Sequence, residues 1–298
     1  MLSFDIVDVF TDRPFAGNQL AVVHGAEDLT TAQCLALAQE FGYSETTFPA
    51  PRGEGEYATR IFTPGGEIPF AGHPTLGTAW VLRSHGDLGP GPVVQHCGAG
   101  EIGVRFLPDG DVELSATPRD LAGPLDDALL AALLEDVGLS LSDAAGPAWL
   151  AGTGLTFAHL AVTEEALERA RPSFRPLSEY AERLAAVGAT ADPVEGLNLH
   201  HVSGEAPELS VRSRVFVPGL DVAEDPATGS AAAGLGVALV AAGRLPEGGG
   251  YTIRQGVEMG RPSTLVGRVE ATSGSVERVH VAGRVQPVAS GRIVVPPG

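Results

Sequence analysis

Two uncharged runs of small and apolar residues predict buried helices. One follows Gly72-His73-Pro74-Thr75, and the other follows Asp225-Pro226-Ala227-Thr228-Gly229-Ser230. Proline is tolerated at the first position of a helix, and a polar side chain just before it is typical of an N-cap. We therefore predict that His73 and Asp225 cap two similar helices. Two similar helix starts in turn predict two similar halves.

Short segments of alternating polarity around these two helices predict β-strands. Residues 3–10 and 19–23 form a predicted strand pair. The other predicted strands are residues 57–63, 93–96, 103–107, 112–115, 209–217, 251–255, 264–271, 278–285 and 292–295. Amphipathic helices are predicted over residues 33–41, 126–137, 163–171 and 177–187, with Thr30 or Thr31 as a cap and Gly42 as a stop for the first. Residues 120–124 predict a linker. Each half is thus predicted as α+β, with many short strands around one central helix.

Composition restricts the classes of partner. The chain has 298 residues, of which 44% are hydrophobic and 19% charged, and its formal net charge is −18. This charge argues against binding to nucleic acid or to an anionic membrane surface, because both favour clusters of Lys and Arg. The run from Pro226 to Gly243 is built of small residues and predicts a core helix, not a membrane span. An anionic ligand would have to be held by local dipoles, and a buried helix start supplies one.

Cysteine usage and the amino terminus indicate a cytoplasmic location. The two cysteines, Cys34 and Cys97, are too few for a disulfide framework or a structural zinc site. Cys34 shares a helical apolar face with Leu37 and Phe41, which predicts a packed core thiol. The first residues do not combine a basic segment with an apolar core, so no signal peptide is expected.

Two motifs resemble binding sites only at first sight. Residues 98–103 match a dinucleotide fingerprint, but that motif must open a helix, and here it runs into an alternating segment and a Pro-Asp-Gly turn. The same context makes Cys97 a strand-end residue. His200 and His201 are adjacent and would point to opposite faces of a strand, so we expect no metal site there.

Glu45 is the most promising candidate for proton transfer. It follows the Gly42 helix stop and is flanked by apolar and hydroxyl residues. One interpretation is a solvated carboxylate at a strand edge. The other is a partly desolvated carboxylate with a raised pKa, as a general acid/base near neutral pH requires. The residues alone leave both interpretations open.

Several motifs together resemble the phenazine biosynthesis-like (PhzF-like) isomerase family in order and spacing, over essentially the whole chain. They are Gly17-Asn18-Gln19-Leu20-Ala21-Val22-Val23, Ser44-Glu45-Thr46-Thr47-Phe48, residues 62–75, Asp225-Pro226-Ala227-Thr228-Gly229-Ser230-Ala231, Gln255-Gly256 and Met259-Gly260-Arg261-Pro262-Ser263. Gln19 is one departure, because the family often has proline after Gly-Asn.

The resemblance implies a diaminopimelate-epimerase-like fold of two pseudo-equivalent domains, each a curved, mostly antiparallel sheet or barrel around a central helix. The expected domains are residues 1–122, joined by a final strand at about 287–298, and residues 123–286. The resemblance also implies an active site in the cleft between the domains, no metal or organic cofactor, and a homodimer.

The site residues implied by the resemblance can be assigned position by position. Glu45 would transfer the proton, while His73 and Asp225 would orient the substrate and tune that transfer. Polar groups of Gly72, Gly229 and Ser230 would bind a substrate carboxylate. We therefore expect a cofactor-independent isomerase of a small carboxylate-bearing metabolite.

Two alternatives remain open at this point. A cysteine-type epimerase or racemase of the same fold would need a thiol at each central helix start, where this chain has His73 and Asp225. A binding protein that keeps the cleft without turnover is the other alternative.

Overall fold

A computed structural model describes residues 1–173, 175–188, 193–218 and 223–297. The chain divides into two compact units. The first comprises residues 1–114 and 282–298, and the second comprises residues 115–281. Both are mixed α+β units dominated by sheet, and each is described by itself below.

The first unit contains two helices and a largely antiparallel set of strands. Its elements are β1 (Leu2–Val9), β2 (Asn18–His24), α1 (Thr31–Phe41), β3 (Glu45–Gly53), β4 (Glu56–Thr63), β5 (Gly66–Ile68), α2 (Gly72–His85), β6 (Val93–Cys97), β7 (Gly100–Phe106), β8 (Val112–Ala116) and β18 (Val285–Ile293). β1 pairs antiparallel with both β2 and β18, while β2 pairs in parallel with β3. The parallel pair places the first residue of β3, Glu45, beside Leu20 of β2.

Helix α2 is the buried helix of this unit. Nine of its residues are buried, from His73 to Leu82. A Cβ added at Gly77 would lie 2.5 Å from Leu20 and 2.9 Å from Val9, so the helix packs directly on β1 and β2. This close packing places α2 on β2, the strand whose Leu20 pairs with Glu45 of β3.

Within the described residues, the second unit contains four further helices and the remaining strands. Its elements are β9 (Asp120–Ala122), α3 (Asp127–Asp136), β10 (Trp149–Gly152), β11 (Thr156–Ala161), α4 (Glu164–Arg169), α5 (Ala181–Val187), β12 (Val194–Glu205), β13 (Glu208–Phe216), β14 (Glu224–Asp225), α6 (Gly229–Ala241), β15 (Gly249–Gln255), β16 (Ser263–Thr272) and β17 (Ser275–Gly283). Short 3₁₀ turns occupy residues Leu141–Asp143 and Leu177–Tyr180. β12 and β13 form a long antiparallel pair, and β13 pairs in parallel with β15.

Helix α6 is buried along ten of its residues. Its glycines allow close approach: a Cβ at Gly234 would lie 2.7 Å from the Ala151 carbonyl oxygen, and one at Gly236 would lie 2.5 Å from the Tyr251 hydroxyl. That hydroxyl donates a hydrogen bond to the Ala232 carbonyl oxygen. The prediction of a core helix here is confirmed. No helix among the described residues is long and apolar enough to cross a membrane.

The linker predicted over residues 120–124 is wrong in its first half. Asp120–Ala122 forms β9, which pairs antiparallel with β10. The Asp120 carboxylate accepts a hydrogen bond from the Thr156 hydroxyl, so the residue is buried and paired instead of solvated.

The predicted capping of the two central helices is also wrong. The N-cap of α2 is Ala71, so His73 is the second helical residue and Pro74 the third. Proline is still tolerated there, since the N–H groups of the first turn have no intrahelical acceptor. The N-cap of α6 is Thr228, and Asp225 lies three residues earlier, in β14. Asp225 pairs with Val215 in the sheet, so the helix begins only after Thr228.

Candidate functional site

Glu45 lies at a buried strand start beside α2. Its side chain is 15% exposed, and its Oε2 atom has no hydrogen-bond partner among the described residues. The nearest basic group is His73, whose Nδ1 lies 3.5 Å from that oxygen. A buried carboxylate oxygen without a donor disfavours the ionised form.

Burial raises the pKa of Glu45 to about 7, and a hydrogen bond from Ser44 offsets part of that rise. This environment favours the interpretation of a partly desolvated carboxylate over that of a solvated one. A carboxyl group with a pKa near neutrality can both take and return a proton at physiological pH.

The surroundings of His73 assign its tautomer. Its Nε2 lies 3.3 Å from the carbonyl oxygen of Gln19, which can only accept a hydrogen bond, so we assign the proton to Nε2. Ser44 donates to Oδ1 of Asn18 at 3.1 Å, and this orients the Asn18 amide nitrogen toward Nδ1 of His73 at 3.4 Å. Nδ1, the other ring nitrogen, faces Asn18 and Glu45.

A buried polar network supports the start of α2. The Tyr57 hydroxyl donates to Gln95 Oε1 at 2.8 Å, and Gln95 Nε2 donates to the Thr75 hydroxyl at 2.9 Å. Thr75 in turn donates to the Ala71 carbonyl oxygen at 2.9 Å. A satisfied network of this kind restricts the rotation of the helix start and holds the His73 imidazole in place.

Glu45 is also expected to make the stability of the protein depend on pH. Its pKa is about 7 in the folded protein against an ordinary value of 4.5, so between these values the folded state binds more protons than the unfolded state. The stabilisation is complete below pH 4.5 and is lost as the pH rises to 7. At 1.36 kcal/mol per pKa unit it amounts to about 3 kcal/mol.

Urea unfolding of the wild type and of Glu45→Gln between pH 4.5 and 8 measures this effect. Because glutamine does not titrate, the free energy of unfolding of the variant should rise relative to the wild type by about 3 kcal/mol over that range. A difference between the two proteins that does not change with pH would contradict the assignment.

Asp225 is positioned by its own polar network in the second unit. Its Oδ2 accepts a hydrogen bond from the Thr228 hydroxyl at 2.5 Å, and its backbone oxygen accepts one from Gln255 Nε2 at 2.8 Å. The same Gln255 nitrogen lies 3.0 Å from the Thr228 hydroxyl oxygen. A Cβ at Gly256 would lie 2.7 Å from the Pro226 carbonyl oxygen, so this loop is closely packed.

The residues predicted to bind the substrate carboxylate lie at the starts of the two central helices. Gly72 is the first residue of α2, and Gly229 and Ser230 are the first two of α6. Neither helix has a side-chain cap or an acidic residue in its first turn. Both N-termini therefore lack a side-chain cap, and the positive end of each helix dipole favours a bound anion.

The structure brings the predicted residues together in two groups. Glu45, His73 and Gly72 belong to the first unit, and Asp225, Gly229 and Ser230 belong to the second. Sequence reasoning assigned no role to Asn18, Ser44, Thr228 and Gln255, which hold these groups in place. All four residues lie within the sequence motifs on which the family resemblance rests. No other feature of the sequence indicated a role for them.

Neither cysteine is close in sequence to the start of α2 or of α6. Cys34 is fully buried in α1, where burial raises the pKa of its thiol. Cys97 is the last residue of β6, and its thiol is directed at the Gly100 carbonyl oxygen at 3.7 Å. Gly100–Phe106 forms a strand, so residues 98–103 do not open a nucleotide-binding helix.

The predicted contrast between His200 and His201 is confirmed. Both lie in β12, His200 buried and His201 partly exposed. Burial lowers the pKa of His200 to about 4 and that of the neighbouring His159 to about 3, so both imidazoles are neutral parts of the core.

Comparison with known proteins assigns the chain to a family. A profile of the phenazine biosynthesis-like protein family matches residues 7–291. This chain belongs to that family. It is 34% identical, over 99% of its own length and 100% of the relative's, to a trans-2,3-dihydro-3-hydroxyanthranilate isomerase of Pseudomonas fluorescens. As a member of the phenazine biosynthesis-like family with curated relatives of this kind, the chain is an isomerase.

Solved structures support the fold of this family member. A protein described as a predicted epimerase from Pseudomonas aeruginosa superposes with a TM-score of 0.81 at 30% identity, covering 99% of this chain and 100% of that chain. A hydroxyproline epimerase from Agrobacterium vitis gives a TM-score of 0.59 at 14% identity, covering 97% of this chain and 91% of that chain, which concerns the fold alone. The predicted diaminopimelate-epimerase-like fold is confirmed.

Proposed function

We propose that the protein is a cofactor-independent isomerase that moves a proton within a small carboxylate-bearing metabolite, with Glu45 as the general acid/base. The observation that carries this proposal is the buried Glu45 carboxyl, whose pKa burial raises to about 7, with the His73 imidazole 3.5 Å away. An acid/base that works near neutral pH needs such a pKa.

In this mechanism Glu45 removes a proton from an activated carbon of the substrate. The C–H electron pair moves into the adjacent unsaturated system, and Glu45 returns the proton to another carbon of the same molecule. The molecular formula is unchanged, and no oxidant or reductant is needed. His73, held as the Nε2–H tautomer by Gln19, would orient the substrate and tune the acidity of Glu45.

The carboxylate of the substrate is proposed to bind at the helix starts, through polar groups of Gly72, Gly229 and Ser230. Two uncapped helix N-termini favour an anion and stabilise negative charge that develops during proton transfer. Asp225, fixed by Thr228, would orient the substrate. We propose that the two sets of residues face one interdomain cleft, whose closure would exclude water.

The substrate of the Pseudomonas fluorescens relative, trans-2,3-dihydro-3-hydroxyanthranilate, is the first compound to assay, because it is a small carboxylate-bearing molecule. We further propose a homodimer, by resemblance to the family, and a cytoplasmic location, which fits the two free thiols. Light scattering of the purified protein at about twice 30.6 kDa would support the dimer, and a mass near 30.6 kDa would contradict it.

Turnover of a cysteine-free variant in heavy water separates this mechanism from a thiol-based one, because a carboxyl group and a thiol both exchange their protons with solvent. We expect deuterium from solvent in the product, and we expect the Cys34→Ala/Cys97→Ala double variant to retain turnover and deuterium incorporation. Small core truncations should cost at most a few kcal/mol of stability. A double variant that is folded but inactive would contradict the carboxylate mechanism and favour a cysteine-type epimerase.

A further inference from the structure

Three side chains of the first unit converge at the far end of α2 from His73. Asp5 lies in β1, His24 is the last residue of β2, and His85 is the last residue of α2. Nε2 of His24 is 2.8 Å from Asp5 Oδ2, and Nε2 of His85 is 3.3 Å from the same oxygen. The three atoms lie within 4.8 Å of one another.

The fold itself produces this cluster. Asp5 pairs with Val22 across the antiparallel β1–β2 ladder, and His24 is two residues further along β2, so both side chains stand on one face of the sheet. Helix α2 packs on β1 and β2 and ends with His85, whose ring stacks on that of His24 with centroids 5.0 Å apart. All three side chains are therefore carried by regular elements, which favours a defined geometry.

We propose that Asp5, His24 and His85 form a binding site for a divalent transition-metal ion of the Zn²⁺ class. Two imidazole nitrogens and one carboxylate oxygen are a common ligand set for such ions. At metal–ligand distances of about 2.0–2.1 Å, ligand atoms around a tetrahedral ion are roughly 3.4 Å apart. The 3.3 Å between Asp5 and His85 matches this spacing, and small side-chain movements would complete it.

The electrostatic setting favours a cation at this place. The site lies at the C-terminal end of α2, where the helix dipole is negative, and the whole chain carries a formal charge of −18. The Asp5 and His24 side chains are 18% and 17% exposed, while His85 is 44% exposed, so an ion can enter from solvent and keep a water ligand. Within the described residues, no other group of three His, Cys, Asp or Glu side chains converges in this way.

The site is separate from the proposed catalytic residues. His73 and His85 stand at opposite ends of α2, about 18 Å apart at a rise of about 1.5 Å per residue. The ion would tie the end of α2 to β1 and β2, and no step of the proposed proton transfer needs it. Sequence reasoning missed the cluster because its members are far apart in the chain and share no ligand spacing.

Calorimetric titration of the full, untagged, chelator-treated protein with Zn²⁺ tests the proposal. We expect one ion per chain, and we expect Asp5→Asn, His24→Gln and His85→Gln each to lower the affinity by at least about tenfold, since even indirect partners of a metal site cost 10–100-fold. Co²⁺ should show the visible absorption of a bound ion in the wild type and lose it in His85→Gln.

His96→Gln is the matched control. His96 is a partly exposed imidazole whose Nε2 lies 3.0 Å from Glu56, but it has no second imidazole beside it in the described structure. This variant should bind Zn²⁺ as the wild type does. His85 is exposed at a helix end, so His85→Gln should keep its circular dichroism spectrum even if His24→Gln does not fold. Absence of binding in the wild type, equal binding in His85→Gln, or its loss in His96→Gln would overturn the proposal.

Discussion

Glu45→Gln is expected to lower the turnover rate by a factor on the order of 10²–10⁴, the typical contribution of a general acid/base. Glutamine keeps the size and the hydrogen-bonding capacity of the side chain but cannot exchange a proton at neutral pH. Burial of the wild-type carboxyl group costs folding free energy, so the variant should be at least as stable as the wild type at pH 7. The loss should therefore appear in kcat, with the circular dichroism spectrum unchanged.

Glu101→Gln serves as the control for this substitution. Glu101 belongs to the same unit, lies in β7 and has a side chain that is 77% exposed. Its replacement should leave the rate unchanged. A Glu45→Gln variant that turns over at the wild-type rate would exclude Glu45 as the proton-transferring group, whatever the substrate proves to be.

Local signals in the sequence were sufficient to predict several elements. Helix α1 begins after Thr30, which accepts a hydrogen bond from the Gln33 N–H, and ends before Gly42 at φ 65°, as predicted. The helix predicted from Asp126 likewise begins there, because the Asp126 side chain caps α3 by accepting a hydrogen bond from the Leu129 N–H. In both cases the determinant is a side chain within three residues of the helix end, so the prediction needs no knowledge of tertiary structure.

Strands whose definition depends on distant partners were harder to predict. β10 and β11 were missed, and β12 was expected only around His200 and His201; β11 pairs in parallel with β12, more than thirty residues away in sequence. The alternating pattern predicted the last strand over residues 292–295 and the family resemblance placed it at about 287–298, whereas β18 runs continuously from Val285 to Ile293. Pro287 lies inside this strand, where the ladder with β1 has a register shift between Ile6 and Val7.

The candidate site was predictable in its residues but not in its local geometry. Polar residues before prolines suggested caps, whereas the His73 imidazole turns to Asn18 and Gln19, and the Asp225 carboxylate accepts from Thr228. The predicted cap at His73 failed because its imidazole is engaged by β2, and the one at Asp225 failed because pairing with Val215 keeps that residue in β14, three residues before the N-cap Thr228. The raised pKa of Glu45 likewise depends on burial, which the sequence only suggested.

Glu224→Ala is expected to cost about 3–5 kcal/mol of unfolding free energy, because it removes the carboxylate that is hydrogen-bonded to the buried guanidinium group of Arg214 and leaves only Glu258, at 4.0 Å, as an ion-pair partner. Arg214 donates to both carboxylate oxygens of Glu224, at 2.9 and 2.8 Å, and the two side chains are only 5% and 10% exposed. The pair ties β13 to β14 directly beside Asp225. Its loss should therefore also loosen the position of that residue.

The Arg60–Glu67 pair provides a control with the same geometry and a different environment. Arg60 donates to both oxygens of Glu67, at 2.8 and 2.6 Å, but the side chains are 37% and 39% exposed. Solvent screens an exposed pair, so Glu67→Ala should cost no more than about 1 kcal/mol. Urea unfolding of both variants measures the difference. Equal costs would show that burial does not decide the strength of these ion pairs and would remove the argument that Arg214 and Glu224 hold Asp225 in place.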